Sequence, residues 1–157
     1  AILNILEQNA KATPIGIAHM VGMSEDEVIA AISYAEKERA IVKYKTLINW
    51  ERAGVEEVLA LVEIRVTPQR DVGFDNIAQR IARFPEVRSL NLVSGDFDLS
   101  VLLAGSSMKE LASFVAQKLA ALEEVRSTAT HFLLKRYKQD GEIMDVEEPA
   151  KRLPISP

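Results

Sequence analysis

The sequence predicts an α+β protein, with an N-terminal helix-turn-helix domain followed by a ferredoxin-like βαββαβ domain. Three observations predict it. A helix that ends at Gly22 is followed two residues later by a new helix start at "SEDE", residues 24–27. The hydrophobic period then changes beyond residue 57, from helical spacing to alternation. From there the elements run strand, helix, strand, strand, helix, strand, the ferredoxin-like order. The domains expected are residues 1–50, a linker at 51–57, a ferredoxin-like domain at 58–138 and a tail at 139–157.

In chain order, "AILNILEQNA" places Ile2, Leu3, Ile5 and Leu6 on one helix face. Thr13 is an N-cap with Pro14 at the first helical position, and this second helix buries Ile17, Ala18 and Val21. In "SEDE" the Ser24 hydroxyl can bond the Glu27 amide while the Glu27 carboxylate reaches back, a capping box. The third helix buries Val28, Ile32 and Ala35. "AIVKYKTLINW" reads as a strand or wing with a connector, and the polar "ERAGVEE" as a linker.

"VLALVEIRV" then puts Val58, Ala60, Val62, Ile64 and Val66 on one strand face, and Pro68 stops it. "GFDNIAQRIARF" is amphipathic through Phe74, Ile77, Ala78 and Ile81, and Pro85 closes it. Two strands, from Leu90 to Val93 and from Leu99 to Ala104, flank "SGDFD". "MKELASFVAQKLAAL" turns Met108, Leu111, Val115, Leu119 and Leu122 inward, and "STATHFLLKRY" is the last strand. The helices cover one sheet face. The other shows Leu59 and Leu61, with Leu90 and Leu92 placed opposite Val87 and Val93, so an apolar contact surface and a dimer are expected. The acidic, proline-bearing tail reads as loosely ordered.

Composition limits the functions available. The chain has 157 residues, 48% of them hydrophobic and 27% charged, with a net charge of −4. The absence of cysteine excludes disulfides, thiolate metal sites and cysteine nucleophiles. No apolar run approaches the ~18 residues of a membrane span, and no cationic leader precedes an apolar stretch, which predicts a cytoplasmic protein. The chain opens at Ala1 inside a helical pattern, so a natural start upstream is expected. His19 and His131 are far apart and read as structural, not as metal ligands. Asp96 and Asp98 lack the His, Lys or Arg cluster of a catalytic set, and no phosphate loop or dinucleotide fingerprint appears. No catalytic residue, metal site or cofactor is expected.

The turn "VSGDFD" has its own chemistry. Glycine lets a backbone approach a ligand and offers unobstructed N–H groups, while a nearby carboxylate can hold an ammonium. Gly and Asp are also ordinary turn residues, and Asp96 reads as a local turn cap.

Taken together, "VGMSEDEV", "VKYKTLIN", "FPEV" and "VSGDFD", in that order, resemble the Lrp/AsnC family of leucine- and asparagine-responsive transcription regulators, over about residues 2–138. The resemblance implies binding to double-stranded DNA, an amino-acid effector, and a homodimer that assembles further, commonly to octamers with the effector where dimers meet. It carries Gly95 and Asp98 onto the family's effector motif, with Asp96 and Phe97 beside them and Thr128 and Thr130 near the pocket. Leu99 departs from the tyrosine common there. On the DNA side it implies Ser24, Glu25 and Glu27 at the start of the third helix, Ala30, Ala31, Ser33, Tyr34 and Lys37 along it, and Lys43 and Lys45 on the ribbon.

Charge opposes this reading in one place. Residues 1–50 carry five basic side chains (Lys11, Lys37, Arg39, Lys43, Lys45) against six acidic ones (Glu7, Glu25, Asp26, Glu27, Glu36, Glu38). A DNA-binding face is normally basic. Glu25, Asp26 and Glu27 suit the helix dipole but repel phosphate, although a glutamate can accept from cytosine N4. Lys43 and Lys45 are the best phosphate contacts. The alternative is an amino-acid-binding or scaffold protein whose acidic helix-turn-helix meets a protein partner.

Overall fold

The computed structural model describes residues 1–68 and 73–144, and its contacts divide the chain at Ile48/Asn49 into two compact units. The first holds α1 (Ile2–Gln8), α2 (Pro14–Val21) and α3 (Glu25–Lys37). Leu6, Ile17, Ala18 and Val28 form its core, with Ile2, Ile5, Val21, Ile32 and Ile41 packed around them. Leu3 departs from the expected inward stripe and is exposed. At 100° per residue it falls off the arc that carries Ile2, Ile5 and Leu6.

The cap chemistry is as the sequence writes it. Thr13 Oγ1 accepts from the Gly16 N–H at 3.3 Å, with Pro14 at the first helical position. Gly22 closes α2 in the left-handed region, φ 69°. Ser24 Oγ accepts from the Glu27 N–H at 3.3 Å, and Glu27 Oε2 accepts from the Ser24 N–H at 2.8 Å. Just past α3, Arg39 turns the chain at φ 57°, and the Ile41 N–H returns to the Ala35 carbonyl. The wing expected after it is absent: residues 41–49 form no strand within the chain. A strand needs a ladder partner, and the first unit offers none.

The polar segment expected as a linker begins with a turn. The Asn49 carbonyl accepts from the Ala53 N–H, its side chain accepts from the Arg52 N–H, and Gly54 closes the turn at φ 75°. The second unit then runs β1 (Val58–Val66), α4 (Asp75–Ala82), β2 (Val87–Leu92), β3 (Leu99–Gly105), α5 (Met108–Phe114) and β4 (Val125–Phe132). The sheet order β2-β3-β1-β4, antiparallel throughout, is the ferredoxin-like arrangement. Ala60, Val62, Ile64 and Val66 meet Ile77, Ile81, Leu111, Phe114, Val115 and Leu119 in the core. α5 does not run on as a regular helix. It widens into a π-helical turn, Val115–Leu119, closed by the Ala120 N–H on the Val115 carbonyl at 2.8 Å. Met108, expected inward, is exposed, and Phe114 takes the buried place.

Two further expectations fail on backbone detail. A β-bulge between Val87 and Ser89 shifts β2 by one residue against β3. Leu90 therefore pairs with buried Val101 and packs on the core with Val87 instead of facing the open side. Leu92 follows it onto the same face, across from buried Leu99. The open face holds Leu59, Leu61, Leu102 and Ala104 at one end. Glu63, Arg65, Ser100 and Ser127 make its other end polar, and His131 stands across from Leu61. The tail, expected loose from residue 139, begins as a hairpin of β5 (Lys138–Gln139) and β6 (Glu142–Ile143). It turns on Asp140 and Gly141, both at positive φ, as a tight two-residue turn demands. Residues 145–157 of that tail lie outside the described residues.

Candidate effector turn and DNA-facing helix

The "SGDFD" turn joins β2 to β3 at the end of the sheet where β1 finishes. Gly95 sits at φ 124°, a conformation open to glycine, and no atom crowds the place of a Cβ. The glycine is required by the backbone and not by close packing. Ser94, Gly95 and Asp96 are exposed, and Phe97 and Asp98 are half-buried.

Asp98 is a structural fastener as well as an acid. Its N–H donates to the Ile64 carbonyl at 3.0 Å, and its carbonyl accepts from the Val93 N–H at 2.9 Å. Its Oδ2 accepts from the Val66 N–H at 2.9 Å. One oxygen of the expected ammonium partner is thus committed to β1, and Oδ1 has no partner among the described residues. Asp96, expected to cap the turn, makes no such bond among the described residues; the capping falls to Asp98.

Arg65 was missed by the sequence reading. Its guanidinium lies over the Phe97 ring, 5.2 Å from the centroid. Its signal was available, since it is the one cation in "VLALVEIRV", where Glu63 is the only other charge. The turn therefore holds a carboxylate oxygen, an exposed cation, an aromatic face and a glycine backbone within one loop and its neighbouring strand. Thr128 and Thr130 stand apart. They are half-buried on edge strand β4, in register with Ile64 and Val62, so they share the helix-covered face. Arg65 and Ser127 lie on the other. The turn residues come together, but the two threonines lie across β1 from them.

His131 is not a structural core residue. It is exposed on the open face, with Nε2 3.1 Å from Glu63 Oε2. His19 is exposed in the last turn of α2. No group of three or more potential metal ligands exists among the described residues.

In the first unit, α3 exposes Glu25, Asp26, Glu27, Ile29, Ala30, Ser33, Tyr34 and Lys37, whereas Ala31 is half-buried and turns partly inward. Glu27 is occupied. The Ser24 backbone N–H, then the Ser24 hydroxyl, hold its carboxyl below the ordinary 4.5. Reading cytosine would break its own helix cap. Glu36 is occupied too, accepting from the Tyr44 hydroxyl at 2.9 Å, which raises the Tyr44 pKa. Lys43 and Lys45 are exposed on the extended segment after α3.

The chain thus joins a capped helix-turn-helix unit to a ferredoxin-like unit with a glycine–aspartate turn, a two-part class of fold. The model of the Lrp/AsnC ligand binding domain matches residues 59–143. The uncharacterized HTH-type transcriptional regulator YugG of Bacillus subtilis is 46% identical over 157 residues, covering 99% of this chain and 95% of that one. The chain belongs to the Lrp/AsnC family. The leucine-responsive regulatory protein of Haemophilus influenzae is 29% identical over 138 residues, 88% of this chain and 82% of its own. Among solved structures, the Mycobacterium tuberculosis feast or famine regulatory protein complexed with L-methionine superposes with a TM-score of 0.72. It is 23% identical and covers 92% of this chain and 95% of that one. Escherichia coli AsnC gives 0.69 at 17% identity, over 92% and 94%. These likenesses in structure concern the fold. The two sequence relatives carry the names of regulators, and no helix among the described residues is long and apolar enough to cross a membrane.

Proposed function

We propose that the protein is a sequence-specific DNA-binding transcription regulator whose second unit senses a free amino acid or a related small metabolite. The observation that carries this reading is the match along nearly the whole chain, helix-turn-helix included, to an HTH-type regulator. The caps on α2 and α3 support it, because they hold a short, exposed helix ready to enter a major groove. Lys37, Lys43 and Lys45 supply phosphate contacts, and linking several subunits raises the affinity of a weakly basic reader. A homodimer through the open sheet face, assembling further to an octamer, fits both the apolar end of that face and the family.

At the turn, the glycine backbone offers N–H groups to an effector carboxylate, with the Arg65 guanidinium as the cation beside it. Asp98 Oδ1 takes the ammonium. The exposed position of Gly95 suits a ligand held between subunits. A neighbour complexed with L-methionine makes that amino acid the first to test. Calorimetry with the twenty amino acids is the experiment, on the parent and on Asp98→Asn. The asparagine keeps an acceptor for the Val66 N–H while removing the charge. Loss of ~1.5–3 kcal/mol of ligand affinity with the fold intact is expected. Undiminished binding by Asp98→Asn removes Asp98 from the site.

The scaffold reading retains one supporting observation, the exposed acids Glu25 and Asp26 beside exposed Ile29 and Tyr34. Fluorescence titration with labelled promoter DNA separates the two. Binding that weakens steeply with salt is expected, and no binding at low salt leaves the scaffold.

A further inference from the structure

We propose that α3 reads thymine C5-methyl groups, through Ile29 and Ala30, with Asp26 and Ser33 facing the amino group of the paired adenine. The proposal rests on the DNA-binding reading and specifies which base pairs that surface fits.

The burial pattern fixes the outward face. Val28 and Ala35 are buried, with Ala31 and Ile32 half-buried beside them. At 100° per residue, Asp26, Ala30, Ser33 and Lys37 lie opposite that side, and Ile29 adjoins Asp26 and Ser33 at helical spacings of three and four. All five are exposed, Ile29 at 45%. An isoleucine half open to water on a charged helix is apolar surface without a partner in its own unit.

The chemistry of this face selects among base pairs. Guanine offers two acceptors in the major groove and is read chiefly by arginine or lysine; adenine is read bidentately by asparagine or glutamine. α3, with sequence EDEVIAAISYAEK, has none of these before Lys37 in its last turn. What remains is methyl surface flanked by acceptors. An A·T pair presents the complement, a thymine methyl beside an adenine N6 amino donor. Cytosine N4 also donates, but a G·C pair has no methyl for Ile29 and Ala30. The acids do not spoil this arrangement, because Glu27 is held by Ser24 and Glu36 by Tyr44. Asp26 carries no such internal bond and stands at the patch.

The experiment begins by selecting duplexes from a random-sequence library with the full chain. Their affinity is then compared with duplexes in which 2′-deoxyuridine replaces thymine, which removes only the methyl. A parallel set replaces guanine by 7-deazaguanine, which removes an acceptor. Uridine should weaken specific binding about fourfold for each methyl buried, and 7-deazaguanine should leave it unchanged. Ile29→Ala should lower the thymine/uridine ratio toward what Ala30 alone supports, and Ile29→Val should restore part of it. Equal affinity for thymine and uridine duplexes overturns the proposal and leaves DNA binding standing. So does loss confined to 7-deazaguanine, or selection that yields no preferred sequence from a protein that binds duplex. If no duplex binds at all, both readings fall.

Discussion

Single carboxylates here fasten the backbone, and Glu27 shows it plainly. Its carboxylate closes the cap of α3 through the Ser24 N–H and hydroxyl. Those bonds favour the charged form, so its folded pKa lies below 4.5 and below its unfolded value. A depressed carboxyl adds stability that is fully present above the unfolded pKa and is lost as pH falls through the folded one. The first unit should therefore lose stability on acidification below about pH 4.5. Glu27→Gln should flatten that part of the profile, as circular dichroism melts from pH 6 to pH 3 can measure; an unchanged slope places the titration elsewhere. Asp98 is the parallel case in the second unit, where Oδ2 holds β1. Sequence spacing marked both acids as important. It could not say which oxygen was spent, because that depends on Val66, 32 residues away.

At the scale of elements, small backbone irregularities decide what each face shows. The bulge in β2 moves Leu90 from the expected open face to the core, and α5 buries Phe114 while Met108, its first residue, stays exposed. Gly105, at the end of β3, is a close approach: an added Cβ would meet Leu111 Cδ2 at 2.8 Å. Leu111 is fully buried, so it has little room to give. Gly105→Ala should cost about 1–3 kcal/mol by overpacking, read as a lower denaturant midpoint. A change under about 0.5 kcal/mol would show that Leu111 repacks freely. The hairpin at residues 138–143 was legible. Its Asp-Gly pair is a strong turn signal, and the acidic, proline-bearing composition around it hid the two short strands.

Over the whole molecule, association is the untested step on which the proposed sensing depends. The apolar end of the open sheet face, Leu59, Leu61, Leu102 and Ala104, is the surface to perturb, since Leu90 no longer belongs to it. Leu61 is 36% exposed, enough to accept a charge without disturbing the core. Leu61→Glu should shift sedimentation at micromolar concentration from dimer or larger toward monomer. It should also weaken DNA binding, because a single reader loses the effective concentration of a linked pair. An unshifted sedimentation profile would move the interface elsewhere.

The sequence by itself determined the elements that depend on neighbours within a few residues. The Thr13-Pro14 start, the Gly22 stop, the Ser24–Glu27 box and the alternation of Val58 to Val66 are local chemistry, and each stands where its residues call for it. The order of those elements was enough for the ferredoxin-like sheet. What only the tertiary structure decided are the relations that cross the chain. These are the register that turns Leu90 inward, the strand β1 that separates Thr128 from Asp98, the bond from Asp98 to Val66, and Arg65 set over Phe97. The physical reason is the pleat. Strand side chains alternate with a period of two, so a one-residue slip exchanges faces, and the residues that set the slip belong to another strand.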